Sequence, residues 1–160
     1  MPPVAHLALD RLRAAAGEVA EAYGLDLVVL FGSAARDEFA EAGDVDLAVT
    51  GGNDARAPEG GWGWGRECVL RHAFVQRLET DAVDLVDADR ASALLQAHVA
   101  QDGVPVYERE PGGFAAFRTA AERRFEAALP AYEAEWEETK RHIRALLPPE
   151  PDYRPWGSVP

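Results

Sequence analysis

The run Leu25-Asp26-Leu27-Val28-Val29-Leu30-Phe31 constrains the fold more than any other stretch of this chain. It is short, nearly all apolar and closed by Gly32-Ser33, the pattern of a strand buried on both faces. A second run, Asp44-Val45-Asp46-Leu47-Ala48-Val49, alternates with period two. Asp44 and Asp46 therefore point to one face, and Val45, Leu47 and Val49 to the other, so two carboxylates share an exposed sheet face. Ala82 to Val86 reads as a third strand carrying Asp84, and Val104 to Glu108 as a fourth. Pro105 predicts that the fourth lies at a sheet edge, where a missing N–H is harmless.

Helical spacing fills the intervals. Leu12, Ala15, Ala16, Val19 and Tyr23 predict an amphipathic helix over residues 4–23, stopped near Gly24 and covering a sheet. Residues 34–42 are helix-compatible, 66–79 carry Val69, Ala73, Phe74 and Leu78 on one stripe, and 91–100 form a helix ended by Asp102-Gly103. Residues 51–65 hold six glycines and a proline and read as a flexible loop. From Gly113 to Leu147 the apolar spacing stays helical, but Pro130 interrupts it; at about 3 kcal/mol for an internal proline, two helices or one kinked helix are expected, broken just before residue 130. The stretch 148–160, with five prolines, is expected to be extended or disordered.

Composition narrows the function. The chain of 160 residues is 48% hydrophobic, enough for a core of its own, and carries a formal charge of −12. That charge repels a phosphate backbone, which disfavours nonspecific nucleic-acid binding and basic membrane docking and leaves small charged ligands and basic protein partners open. Cys68, the sole cysteine, makes no internal disulfide or Cys-rich zinc site. No signal-type segment opens the chain and no stretch approaches the roughly 20 apolar residues of a membrane helix, so the cytoplasm is the expected compartment.

The chemistry resides in a set: a buried strand ending in Gly32-Ser33, ten intervening residues, Asp44-Val45-Asp46 opening another strand, and Asp84 on a third. Two carboxylates on one strand face suit hard divalent cations, and Mg²⁺ takes one or two carboxylates together with waters and substrate phosphate oxygens. A third carboxylate on a neighbouring strand completes a two-metal cluster able to hold the attacking oxygen and the leaving pyrophosphate of an in-line displacement at phosphorus. Gly32 lets backbone amides approach phosphate closely, and the Ser33 hydroxyl can donate to it.

These residues resemble the minimal nucleotidyltransferases of the DNA polymerase β superfamily, whose signature is Gly-Ser, ten residues, Asp-x-Asp and a later strand acid. The resemblance spans about residues 8–110, closing on Gln101 to Glu108. It implies an α/β nucleotidyltransferase fold: a short mixed sheet carrying the acids on one face, helices on the other, and a C-terminal helical extension. The implied organisation is a transferase domain over 1–110, an extension over 111–147 packed on it, and a proline-rich tail over 148–160. It also implies AMP transfer from ATP with two Mg²⁺ ions, Asp44 and Asp46 as metal ligands, Asp84 as third ligand or general base, and Gly32, Ser33 and Arg36 on the triphosphate. Many small members are similar to antitoxins that silence a HEPN-domain toxin by attaching AMP to a tyrosine. Other members modify small hydroxyl compounds, and a catalytically silent member would act by binding a partner. Two departures, Asp37 where a glycine is common and Gly43 where a serine is common, bear on NTP affinity.

The remaining residues have ordinary readings. Asp81, Asp87 and Asp89 are read as solvated strand ends, Cys68 as a small buried hydrophobe, and the four histidines as surface or satisfied-core residues. Trp62 and Trp64 pack on the body or stack on a base. Glu133, Glu135, Glu137 and Glu138 followed by Lys140, Arg141 and Arg144 make a well-poled helix and a candidate partner surface; Tyr132 and Trp136 on it are core or oligomer contacts.

Overall fold

The computed structural model describes residues 9–35, 44–52 and 65–147. Helix α1 (Leu9–Tyr23) leads into strand β1 (Leu25–Phe31), a 3₁₀ turn (Ser33–Ala35) and β2 (Val45–Gly51). Helix α2 (Arg66–Leu78), β3 (Val83–Asp87), α3 (Ala93–Asp102), β4 (Val104–Glu108) and α4 (Gly113–Leu146) follow. The four strands form one mixed sheet in the order β3-β2-β1-β4. β1 runs antiparallel to β2 and β4, and β2 runs parallel to β3. A parallel pair needs a crossover, and α2 supplies it.

The apolar run of β1 is explained by its place inside the sheet, with Leu25 and Leu27 through Leu30 all buried. β4 lies at the edge, as Pro105 predicts, and its pairing with β1 shifts register beside Pro105. Val28, Leu30, Val45, Leu47 and Val49 form one face, packed against Leu12, Ala16 and Val19 of α1 and Leu70, Phe74 and Leu78 of α2. The opposite face carries a second, smaller cluster of Leu27, Val29, Ala48, Ala88 and Val99, joined by Leu95, Phe114 and Phe117. Helix α3 and the start of α4 thus cover part of the face that also carries Asp46. Gln96, buried on α3, fastens this layer: its amide donates to Ala88 O at 2.7 Å and its Oε1 accepts from Arg124 at 3.0 Å.

Helix α1 ends as its composition requires, with Gly24 at φ +73° and its N–H on Ala20 O at 2.7 Å. Helix α4 is a single helix with Pro130 inside it, not two helices. A proline at 130 cannot donate to the carbonyl of Glu126, and the chain divides into two compact units at that turn, Met1–Glu126 and Ala127–Pro160. Of the helix expected over 34–42 only the 3₁₀ turn lies within the described residues, and the tail over 148–160 lies outside them. No helix among the described residues is long and apolar enough to cross a membrane.

Candidate active site

The ends of three strands make the site. Val45, Leu47 and Val49 turn into the α1–α2 core, so period two sends Asp46 to the opposite face. Asp46 is in register with Asp84 on β3 and with Phe31 on β1. Neighbouring strands lie about 4.8 Å apart, so the Asp46 and Asp84 carboxylates stand side by side on one face. Asp44 is exposed in the bend leading into β2.

The three acids act on one another electrically. Burial first, then the charges of Asp84 and Asp44, hold the Asp46 carboxyl above its ordinary value of 3.8. Among the described residues no cation is paired with any of the three.

Gly32 follows Phe31 directly and takes φ +72°, a left-handed conformation that disfavours any other residue. A Cβ there would come 3.0 Å from Asp46 Cγ and closer still to Oδ2. The backbone of the Gly-Ser turn is therefore in contact with the Asp46 carboxylate, and only glycine permits the approach. Ser33 opens the 3₁₀ turn, closed by Ala35 N–H on Gly32 O at 3.3 Å. Arg36, Asp37, Gly43, Trp62 and Trp64 lie outside the described residues.

The donor set, three carboxylates with mutual repulsion and no histidine or thiol, suits a hard divalent cation such as Mg²⁺. Among the described residues no three metal-ligating side chains are gathered into a ready cage. Mg²⁺ does not need one, because it is bound through one or two carboxylates together with substrate phosphates.

Sequence reading missed a second acidic centre at the far ends of β2 and β3. Asp87 is not a solvated strand end: it is 2% exposed and pairs with Arg66 at 3.4 Å. Its Oδ1 accepts from Asp89 N–H at 3.2 Å, and Arg66 donates to Gly51 O. Asp89 accepts from Gly51 N–H at 2.8 Å, and Glu67 accepts from Asp87 N–H at 3.2 Å. The network fastens the end of β2 to the start of α2. The available signal was Arg66 itself, a lone cation directly after the glycine-rich stretch. Cys68 is also corrected: it is exposed, because the buried line of α2 runs through Leu70, Phe74 and Leu78.

Comparison with known proteins accords with this geometry. The family model described as polymerase beta, nucleotidyltransferase, matches residues 17–112, more than half of the chain. No curated protein sequence matches. A chain of a toxin-antitoxin crystal structure with AMP-PNP aligns at TM-score 0.63 and 19% identity, over 80% of this chain and 98% of that one. A chain of the MntA-HepT toxin-antitoxin structure aligns at TM-score 0.59 and 18% identity, over 82% and 96%. A chain from the complex of a tri-AMPylated Shewanella oneidensis HEPN toxin with MNT antitoxin aligns at TM-score 0.57 and 19% identity, over 80% and 98%. At such identities the likeness establishes the fold.

Proposed function

The chain belongs to the polymerase beta nucleotidyltransferase family, and from that premise we propose that it transfers AMP from ATP to a hydroxyl group of a protein, acting as the antitoxin of a HEPN-type toxin. The observation that carries the transfer chemistry is the approach of the Gly32 turn to Asp46, itself in register with Asp84. A phosphate-holding turn and a cation-holding acid set then meet at one point. Support for a protein acceptor comes from the folds it resembles, among them a chain from a complex with an AMPylated toxin.

The chemistry is assigned to residues 1–110. The Gly32 backbone and the Ser33 hydroxyl hold the triphosphate, with Arg36 as a further phosphate contact. Asp44 and Asp46 would hold the divalent cations together with phosphate oxygens, and Asp84 is the third ligand or the general base. Bound Mg²⁺ supplies neutralisation of the charge spread over the phosphoryl oxygens and the leaving group. The acceptor oxygen forms its bond to the α-phosphorus as the bond to the bridging oxygen of pyrophosphate breaks. The hydroxyl proton passes to a base, for which Asp84 is the candidate, and pyrophosphate leaves with the electron pair. Asp46, at the centre of the trio, orients the site by its contact with the Gly32 turn.

The test is incubation of the protein and its Asp46→Asn variant with α-phosphate-labelled ATP, Mg²⁺ and a HEPN-type toxin or source-cell lysate. A discrete labelled protein is expected with the wild type, reduced at least about 1,000-fold, or about 4 kcal/mol of barrier, in the variant. Equal labelling by both overturns the role of Asp46, and label in a small compound overturns the protein acceptor.

A further inference from the structure

The Ala127–Pro160 unit exposes an apolar stripe that the transfer chemistry does not use. Leu129, Tyr132, Trp136, Thr139, Ile143 and Leu146 recur on α4 at alternating steps of three and four residues, the seam spacing of a two-stranded coiled coil. Leu129 is 39% exposed, Trp136 58%, Ile143 46% and Leu146 72%. A seam of this kind, about 26 Å from Leu129 to Leu146 and half-buried at Tyr132, marks an interaction surface.

We propose that this face docks against the same face of a second copy of the chain, with the two helices antiparallel. Charge complementarity selects that occupant. The first half of the segment carries Glu133, Glu135, Glu137 and Glu138, and the second half Lys140, Arg141 and Arg144. An antiparallel pair lays each acidic half on the other copy's basic half, whereas a parallel pair lays acid on acid and base on base. The residues flanking the seam agree in detail. With the twofold axis between residues 137 and 138, Glu133 on one flank faces Lys140 of the second copy, and Glu135 on the other faces His142; symmetry makes each pair twice.

Packing selects the same arrangement. The antiparallel register sets Leu129 on Leu146, Tyr132 on Ile143 and Trp136 on the small Thr139. A parallel register would stack Trp136 on Trp136 and leave Thr139 on Thr139, bulky and hollow layers in turn. Lys140 already leans over the Trp136 ring, 5.9 Å from its centroid, and pairs with Glu137 on its own helix. That exposed pair is worth little, so Lys140 is available to Glu133 of the second copy.

Sedimentation of the full chain should find a dimer at micromolar concentration. Trp136→Glu is expected to raise its Kd about 30-fold or more. Lys140→Glu, which leaves the apolar seam untouched, should weaken the dimer about 10-fold, and adding Glu133→Lys to it should restore it. Orientation is read by crosslinking in a Cys68→Ser background: mixed Leu129→Cys and Leu146→Cys proteins should oxidise to the mixed disulfide, and neither should crosslink alone. A monomeric wild type overturns the proposal, including one whose seam is needed only to hold a different protein. Crosslinking of Leu129→Cys with itself, or no rescue by the double charge swap, overturns the antiparallel pairing.

Discussion

The paired strands β2 and β3 carry Asp46 and Asp84 near their starts and end beside Asp87, and the two ends place their aspartates in opposite circumstances. At the far end Asp87 is 2% exposed yet faces Arg66 at 3.4 Å and Arg90 at 3.8 Å and accepts a backbone N–H. At the near end Asp46 is only partly buried, yet it has Asp84 and Asp44 for neighbours and, among the described residues, no cation. One end pairs its acid with cations of the chain itself. The other holds like charges together, at a cost that the cation and triphosphate of the proposed reaction would relieve. The contrast separates an acid paired within the chain from an acid left among like charges, without reference to residue type, since all of them are aspartates.

The largest loss of stability is expected at the far end. Asp87→Ala leaves Arg66, only 11% exposed, without the carboxylate it faces, and is expected to cost about 3–5 kcal/mol in a denaturant titration. A loss below about 1 kcal/mol would mean that the pair stabilises nothing. Gly32→Ala comes next. The left-handed backbone alone costs about 1–2 kcal/mol, and the overlap with Asp46 adds to it. The Asp46 carboxylate must move, so transfer activity should fall further than stability does; equal losses of both would refute the contact as a functional one.

The smallest effect has the opposite sign. Because Asp46 titrates above 3.8 in the folded chain, the folded state binds more protons than the unfolded one as pH rises past that value, and stability falls with pH across that window. Asp46→Asn removes this term. The variant should match the wild type below pH 3.8 and melt at a higher temperature above the raised value, at roughly 2–4 °C per kcal/mol for a chain of this size. Added Mg²⁺ should narrow the gap by stabilising the wild type alone. A variant that melts lower than the wild type at neutral pH would show that Asp46 is held by favourable contacts.

Much of the near end was legible in advance. A period-two run beginning Asp-Val-Asp specifies which side chains share a face, and Gly32 followed by Ser33 marks where β1 must turn. The far end was not legible, because Asp87 and Asp89 look like any polar strand terminus until Arg66 is brought to them by the α2 crossover. Pro130 left two outcomes open, two helices or one, and the structure has the single helix: one missing N–H is tolerated at a turn whose residues are exposed, so α4 continues through it. Cys68 falls beside the buried line of α2, a rotation about the helix axis that the docking of α2 on α1 and β3 decides.

The strands and the face on which Asp46 lies follow from the local alternation of side chains, whereas the need for glycine at position 32 comes from its approach to Asp46 on the neighbouring strand. Tertiary structure alone decided that Asp46 stands beside Asp84, 38 positions later, and that Asp87 is neutralised by Arg66. Both depend on the parallel register of β2 and β3, set by how α1 and α2 fill one face of the sheet. Charge interactions fall off with distance in space and not along the chain, so the same residue type becomes a repelled acid at one end and a buried, paired one at the other.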